Sequence, residues 1–230
     1  NRENIFQYLY YLYYRPKIFF PRKSYSMYGE DIIISKFFKN KNAGFYVDVG
    51  SYHPLEGNNT FLLYKKKWNG INIDINSFSI ELFNFKRKDD LNLNLAISNK
   101  KSKIKFYFRK KINMLNTVSK EIAKIHFPNG FQKKTVKANT LNSIINASRY
   151  KNKRIDFLNL DIEGNELVAL KSLDFKKYKP KLICVEIHNQ EDMYNHQSDY
   201  LKRNLIYKFL IKKNYKVMWS HRFSYIFKTK

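Results

Sequence analysis

The chain has a single cysteine, Cys184, inside the apolar run LICVEI. That excludes an intrachain disulfide and a multi-cysteine zinc site. Glycine and proline are scarce, at 7 and 5 in 230 residues, and no low-complexity linker or internal repeat is visible. No apolar run approaches the roughly 18 residues that a membrane-spanning helix needs. The start, NRENIFQYLYYLYYRPKIFFPRK, lacks a charged segment followed by a smooth aliphatic stretch and a small-residue cleavage site. No signal peptide is expected, and a cytoplasmic location fits. Two phosphate-cradling motifs are also missing. The chain has no G-x-x-x-x-G-K-[ST], and its first glycine turn, G-S-Y-H-P-L-E-G, fails the G-x-G-x-x-G pattern of dinucleotide sites.

Acidic residues are few as well. Asp and Glu number 19 against 44 Lys and Arg, a net charge of +25. Such a surface attracts phosphates, acidic glycans or anionic lipid heads. The joint abundance of Lys, Asn, Ile, Phe and Tyr also matches the coding bias of an AT-rich genome, with the charge on a solvated surface. Residues 1–23 form an aromatic and basic segment. Ile5 to Tyr14 reads as a short helix broken by Pro16 and Pro21. With Arg15, Lys17, Arg22 and Lys23 beside it, the stretch 5–21 suits peripheral contact with the inner face of a membrane. Packing on the domain itself, or on a second subunit, is the competing use.

Residues 24–230 read as one α/β domain, since strands and helices alternate from Phe45 onward. FYVDVG (45–50), GINIDI (70–75), LNLNLAIS (91–98), RIDFLNLDIE (154–163) and KLICVEIH (181–188) read as strands. KIKFYF (103–108) is an added strand or hairpin arm. Helices are expected over 59–67, over NELVALKSLDF and over 199–213. YKVMWSH and FSYIFK close the chain as a hairpin. The pattern predicts a doubly wound, mostly parallel sheet with an antiparallel C-terminal edge.

Ligands of such sheets bind beyond the C-terminal strand ends, near the switch point. Asp48 and Gly50 leave the first strand there, and Asp74 ends the second, 24 positions after Gly50. An acidic ribose partner falls about 20 residues after the first turn in nucleoside-binding folds. A nucleoside without phosphates therefore fits, and S-adenosylmethionine is one. Asn94 and Ala96 on the third strand are placed to border its adenine.

SMYGEDIII (26–34), FYVDVGSYHPLEGNNTFLLYKKKWNGINID (45–74), LNLAIS (93–98), TLNSII (140–145), RIDFLNLDIEGNELVALKSL (154–173) and PKLICVEIH (180–188) together resemble the FkbM-type methyltransferases. D-I-E-G-N-E is the most specific part. The resemblance implies the class I, Rossmann-like S-adenosylmethionine-dependent fold, with seven strands and a reversed last hairpin. It also implies O-methylation of sugars in glycans or natural products. It places Asp48, Gly50 and Ser51 around the methionine end and Asp74 on the ribose. Asn59 and Thr60 stand at a helix start facing the carboxylate, and Glu30 covers the cofactor. Met27 departs from the pattern, where the family often has Gln.

A sugar hydroxyl is a poor acid, so a base or metal assists its methylation. The candidates at strand ends are Asp161, His188, His53, Glu186 and Glu163, with Asp161 the first choice as base or acceptor-binding residue. His nitrogen and carboxylate oxygen also suit a divalent cation, although no close ligand spacing demands one. His53 is expected to face the acceptor, an anionic sugar or glycan. A nucleic-acid substrate is disfavoured, since neither an N-P-P-Y-like tetrapeptide nor a Pro-Cys pair occurs; RNA ribose methylation is the remaining form of that reading. A non-catalytic protein binding anionic partners is the other alternative.

Overall fold

The computed structural model describes residues 2–13, 23–112, 115–188 and 198–230. The strands are β1 (Phe45–Val49), β2 (Asn69–Asp74), β3 (Leu91–Asn94), β4 (Ala96–Ile97), β5 (Ser102–Phe108), β6 (Gln132–Asn139), β7 (Phe157–Leu160), β8 (Leu182–Glu186), β9 (Tyr215–His221) and β10 (Ser224–Thr229). The helices are α1 (Arg2–Tyr13), α2 (Glu30–Phe37), α3 (Phe61–Lys65), α4 (Ser77–Lys86), α5 (Lys120–His126), α6 (Leu141–Asn146), α7 (Glu166–Lys171), α8 (Phe175–Tyr178), α9 (Ser198–Arg203) and α10 (Leu205–Lys212).

β1 is buried along its whole length, as a central parallel strand covered on both faces must be. It sits at the middle of a seven-stranded sheet of order β3-β2-β1-β7-β8-β10-β9. The pairs β1/β2, β1/β7, β2/β3 and β7/β8 are parallel, while β10 runs antiparallel to both β8 and β9. The doubly wound sheet with a reversed hairpin at its edge is the architecture expected. Its direction of winding changes between β1 and β7, which fixes the ligand crevice beyond their C-terminal ends. The larger core cluster joins Val47, Val49, Ile71, Ile73, Leu158, Leu160, Ile183 and Val185 from four adjacent strands.

Several boundaries moved. The strand expected over 91–98 divides at Leu95, whose N–H donates to the Asp74 carbonyl. Before the break β3 pairs with β2. After it β4 pairs with β6 in a separate sheet of order β4-β6-β5. The helix expected over 59–67 contracts to α3, because Asn58 Oδ1 captures the Thr60 N–H and Lys67 ends it at φ +64°. The helix over 199–213 breaks at Asn204, whose side chain accepts the N–H groups of Ile206 and Tyr207 and starts α10. In NELVALKSLDF, Asp174 likewise caps a separate turn, α8. Neither α4 nor β6 was foreseen. The first helix is found as α1, packed on α4 through Leu12, Leu55, Phe78 and Leu82. Arg15, Pro16, Lys17, Pro21 and Arg22 lie outside the described residues. Among the described residues, no helix is long and apolar enough to cross a membrane.

Candidate active site

Gly50 terminates β1 at φ +75°. A Cβ built there would stand 1.6 Å from the carbonyl oxygen of Asp161, at the exit of β7. The glycine therefore lets two adjacent strand ends close on each other at the switch point, and not only a ligand approach the backbone. Gly50 donates its N–H to Ile73 at 2.9 Å, and Asp161 donates to Val49 at 3.0 Å, so both ends are pinned.

Asp48 lies beneath this turn, 1% exposed. Its Oδ1 accepts from Asn159 at 2.9 Å, and its Oδ2 from Thr60 at 2.8 Å and Asn58 at 3.3 Å. Burial raises its pKa, while the bonds from Thr60 and Asn159 and the Arg87 charge pull it back. Arg87 is fully buried and donates to Thr60, Asn58 and the Pro54 carbonyl. Asp48 and Thr60 thus hold the turn from below instead of meeting a ligand. Ser51 belongs to the same layer, its carbonyl accepting from Asn58 and its hydroxyl pointing at the Ile73 carbonyl. Asn59 hydrogen-bonds Asn159. With Glu30, it lines a narrow recess beside the main cavity. There Glu30 accepts from the Tyr28 N–H and the Ser224 hydroxyl.

The main cavity opens across the ends of β1, β2, β4, β7 and β8. Gly50, Tyr52, Asp74, Ala96, Asp161, Glu163 and Glu186 line it, with an apolar wall of Ile73, Leu95, Ile97, Leu115 and Val118. Asp74 accepts the Tyr52 N–H at 2.8 Å on one oxygen and the Asn76 N–H at 2.7 Å on the other. Its carboxylate is fixed in orientation, with lone pairs left over on each oxygen. Burial pushes its pKa up to about 6, so it is mostly ionised at neutral pH. Asn94 is not in the cavity. It is exposed and donates to the Asp74 carbonyl, closing the β2–β3 end.

Opposite Asp74 stands a group of acids. One oxygen each of Asp161, Glu163 and Glu186 falls within 4.8 Å of the others, close enough to bind a divalent cation as well as to share protons. Burial, then the charges of Glu186 and Glu163, holds the Asp161 carboxyl well above the usual carboxylate range. Burial and Glu186 push Glu163 up to about 7. His188 Nε2 lies 2.9 Å from Glu186 Oε2, and that bond raises the imidazole's pKa. Glu163 holds a left-handed backbone, φ +53°, immediately before Gly164 at φ +102°. Non-glycine residues in that region store backbone strain, typically where function requires it. Glu166 spans the tip of this loop, accepting the N–H groups of Ile162 and Gly164.

These shifts have a consequence for stability. A carboxyl whose folded pKa is raised adds stability that is complete below its unfolded pKa and is lost as pH rises through the folded value. For Asp74 and Glu163 that loss extends to about pH 6 and about pH 7. Asp161→Asn removes the most strained of the group. Ligand-free Asp161→Asn is expected to melt no higher than wild type near about pH 3.5, below the unfolded pKa of the carboxyl, and to melt higher above about pH 7. Each ~1 kcal/mol recovered is worth about 2–4 °C in Tm. Parallel melting curves across that range would contradict this.

His53 does not face the cavity. It is 4% exposed, and its Nδ1 accepts the N–H groups of Leu55 and Glu56 at 3.2 and 3.0 Å. That fixes the proton on Nε2, which lies 3.2 Å from the Tyr11 carbonyl of α1. Both nitrogens are committed, so the role in acceptor activation expected of His53 is replaced by anchoring the turn to α1. The remaining catalytic candidates, Asp161, Glu163, Glu186 and His188, do converge. Tyr52, Asn116 and Asn165 also line the cavity and were not foreseen. Asn116 carries a buried carboxamide oxygen that has no partner among the described residues. No sequence pattern marks it, because its position depends on the bridge between Thr117 and Tyr107.

A doubly wound sheet of this order places a crevice lined by Asp74, Asp161, Glu163 and Glu186 at its switch point. A family model, the methyltransferase FkbM domain, matches residues 48–214, and the chain belongs to that family. Among solved structures, it is similar to a TehB-like SAM-dependent methyltransferase from Corynebacterium glutamicum ATCC 13032 Kitasato. The identity is 9% and the TM-score 0.46, over 100% of both chains. No curated protein matches the sequence.

Proposed function

We propose that the protein is an S-adenosylmethionine-dependent O-methyltransferase acting on a sugar hydroxyl, in a glycan or a sugar nucleotide. The observation that carries the reading is Asp74, pre-oriented by two backbone N–H groups, across one cavity from the acids around Glu163. The residues present suit the cofactor. Asp74 would accept from the ribose hydroxyls. Leu95, Ala96, Ile97 and Val118 form an apolar slot for a flat base, and the orphaned Asn116 oxygen is an acceptor for an amine. The acidic side of the cavity suits a cationic ligand.

When bound, S-adenosylmethionine supplies a methyl group already activated by its sulfonium. The protein's task is to orient the acceptor and take its hydroxyl proton. Glu163 is suited to that task, because a base works best with a pKa near the working pH. Asp161, expected to be the base, has its protonated form favoured by burial and by the charges of Glu186 and Glu163, which suits it to donate a hydrogen bond to the acceptor instead. The Glu186–His188 pair gives the proton a route from Glu163 toward solvent, since His188 is partly exposed. The three acids would hold a divalent cation only with these protons released.

The test is transfer of a labelled methyl group to sugar nucleotides and glycans, with and without EDTA. Label recovered on a sugar oxygen supports the reading. Label recovered only on RNA, or none on any acceptor from a protein that binds the cofactor, overturns the sugar assignment.

A further inference from the structure

We infer that the outer face of α1, with the lysines beside it, is a docking surface for an anionic lipid membrane. α1 carries large apolar and aromatic side chains on two sides but buries only one of them. Leu12 is fully buried on α4, with Tyr8 and Tyr11 packed beside it. Ile5, Phe6, Leu9 and Tyr10 remain 45%, 75%, 40% and 51% exposed. Residues spaced i, i+1, i+4 and i+5 share one side of a helix, so the four form one patch.

The rim of the patch is cationic. Lys111 donates to Gln7 of α1 at 2.7 Å, and Lys134 lines the same groove between α1 and the β5–β6 sheet. An aromatic and aliphatic helix face beside lysines matches an interfacial amphipathic helix, which inserts its apolar side at the headgroup boundary while cations meet acidic lipids. The alternatives fit less well. A second copy of a chain of charge +25 would bring these lysines against its own. Nucleic acid would gain nothing from Ile5 and Leu9, which offer no stacking face.

The surface is also tied to the cavity. The Lys111 carbonyl accepts from the Asn76 side chain, and the Asn76 N–H is held by Asp74. A membrane seated on α1 would lie beside the cofactor end of the crevice.

The test is flotation of the full chain with phosphatidylcholine vesicles, with and without phosphatidylserine, for wild type and for Phe6→Glu/Leu9→Glu. Both positions are exposed, and an unchanged melting temperature verifies that the variant folds. The expected result is flotation with the phosphatidylserine vesicles, weakened by salt, and a drop in partitioning of about tenfold or more in the variant. Absence of wild-type binding, or equal binding by both proteins, would overturn the inference. So would a wild-type dimer, seen by light scattering, that the variant splits while neither protein floats. That outcome assigns the face to a second copy.

Discussion

Glu163→Gln is expected to lower kcat about 10²–10⁴-fold, the usual worth of a positioned general base. The substitution keeps the side chain's size and its place in the loop but cannot accept the hydroxyl proton. Cofactor affinity should change little, because Asp74 and the apolar wall are untouched. The pH dependence provides a second reading. Glu163 must be ionised to act, so wild-type kcat/KM should rise with pH and level off above about 7. The residual activity of the variant should lose that limb. An equal rise in both proteins would transfer the role to another group, with Glu186 next in reach. Activity within about threefold of wild type would remove the base from the account altogether.

Gly50→Ala is expected to yield no cooperatively folded protein. Left-handed backbone alone costs an alanine about 1–2 kcal/mol. The larger cost is steric, since the new methyl would stand 1.6 Å from the Asp161 carbonyl oxygen. Both strand ends are fixed by hydrogen bonds to their neighbours, so relief requires β1 and β7 to part. Domains are stable by only about 5–15 kcal/mol in total, and separating the two central strands consumes a large share of that. Gly130→Ala separates the two causes. Gly130 also has positive φ, +100°, but a Cβ there meets nothing within 4 Å. That variant should lose only about 1–2 kcal/mol and melt cooperatively. Similar melting of the two variants would mean that the strand ends yield more readily than their hydrogen bonds suggest.

The sheet was legible because its central strands are short continuous runs of β-branched and aromatic residues. FYVDV and LICVE admit little else between turn signals. β6 was missed for the opposite reason. QKKTVKAN is mostly exposed, and only its pairing with β5 makes it a strand. The breaks at Leu95 and Asn204 come from hydrogen bonds, at Leu95 to the distant Asp74 carbonyl and at Asn204 from the N–H groups two and three residues ahead, which hydrophobic patterning does not register. In the site, Asp74, Ala96 and the D-I-E-G acids were readable because strand ends face the crevice. His53 shows where proximity along the chain misleads: three residues past Gly50, the turn has already rotated under α1. Asp48 shows the complementary case. A carboxylate at a strand end serves a ligand only if it opens onto the crevice, and Asp48 is buried beneath the turn, held there by Asn58, Thr60 and Asn159.

Calorimetric titration with S-adenosylmethionine at about pH 7.5, for wild type and Asp74→Ala, tests the central claim most directly. At that pH most of Asp74 is ionised. The account expects saturable binding to wild type and a loss of about tenfold to a hundredfold in the variant, the worth of charge-assisted hydrogen bonds to a ribose. Equal affinity in the two proteins would contradict the placement of the nucleoside on Asp74. No binding to folded wild type would contradict the cofactor assignment itself.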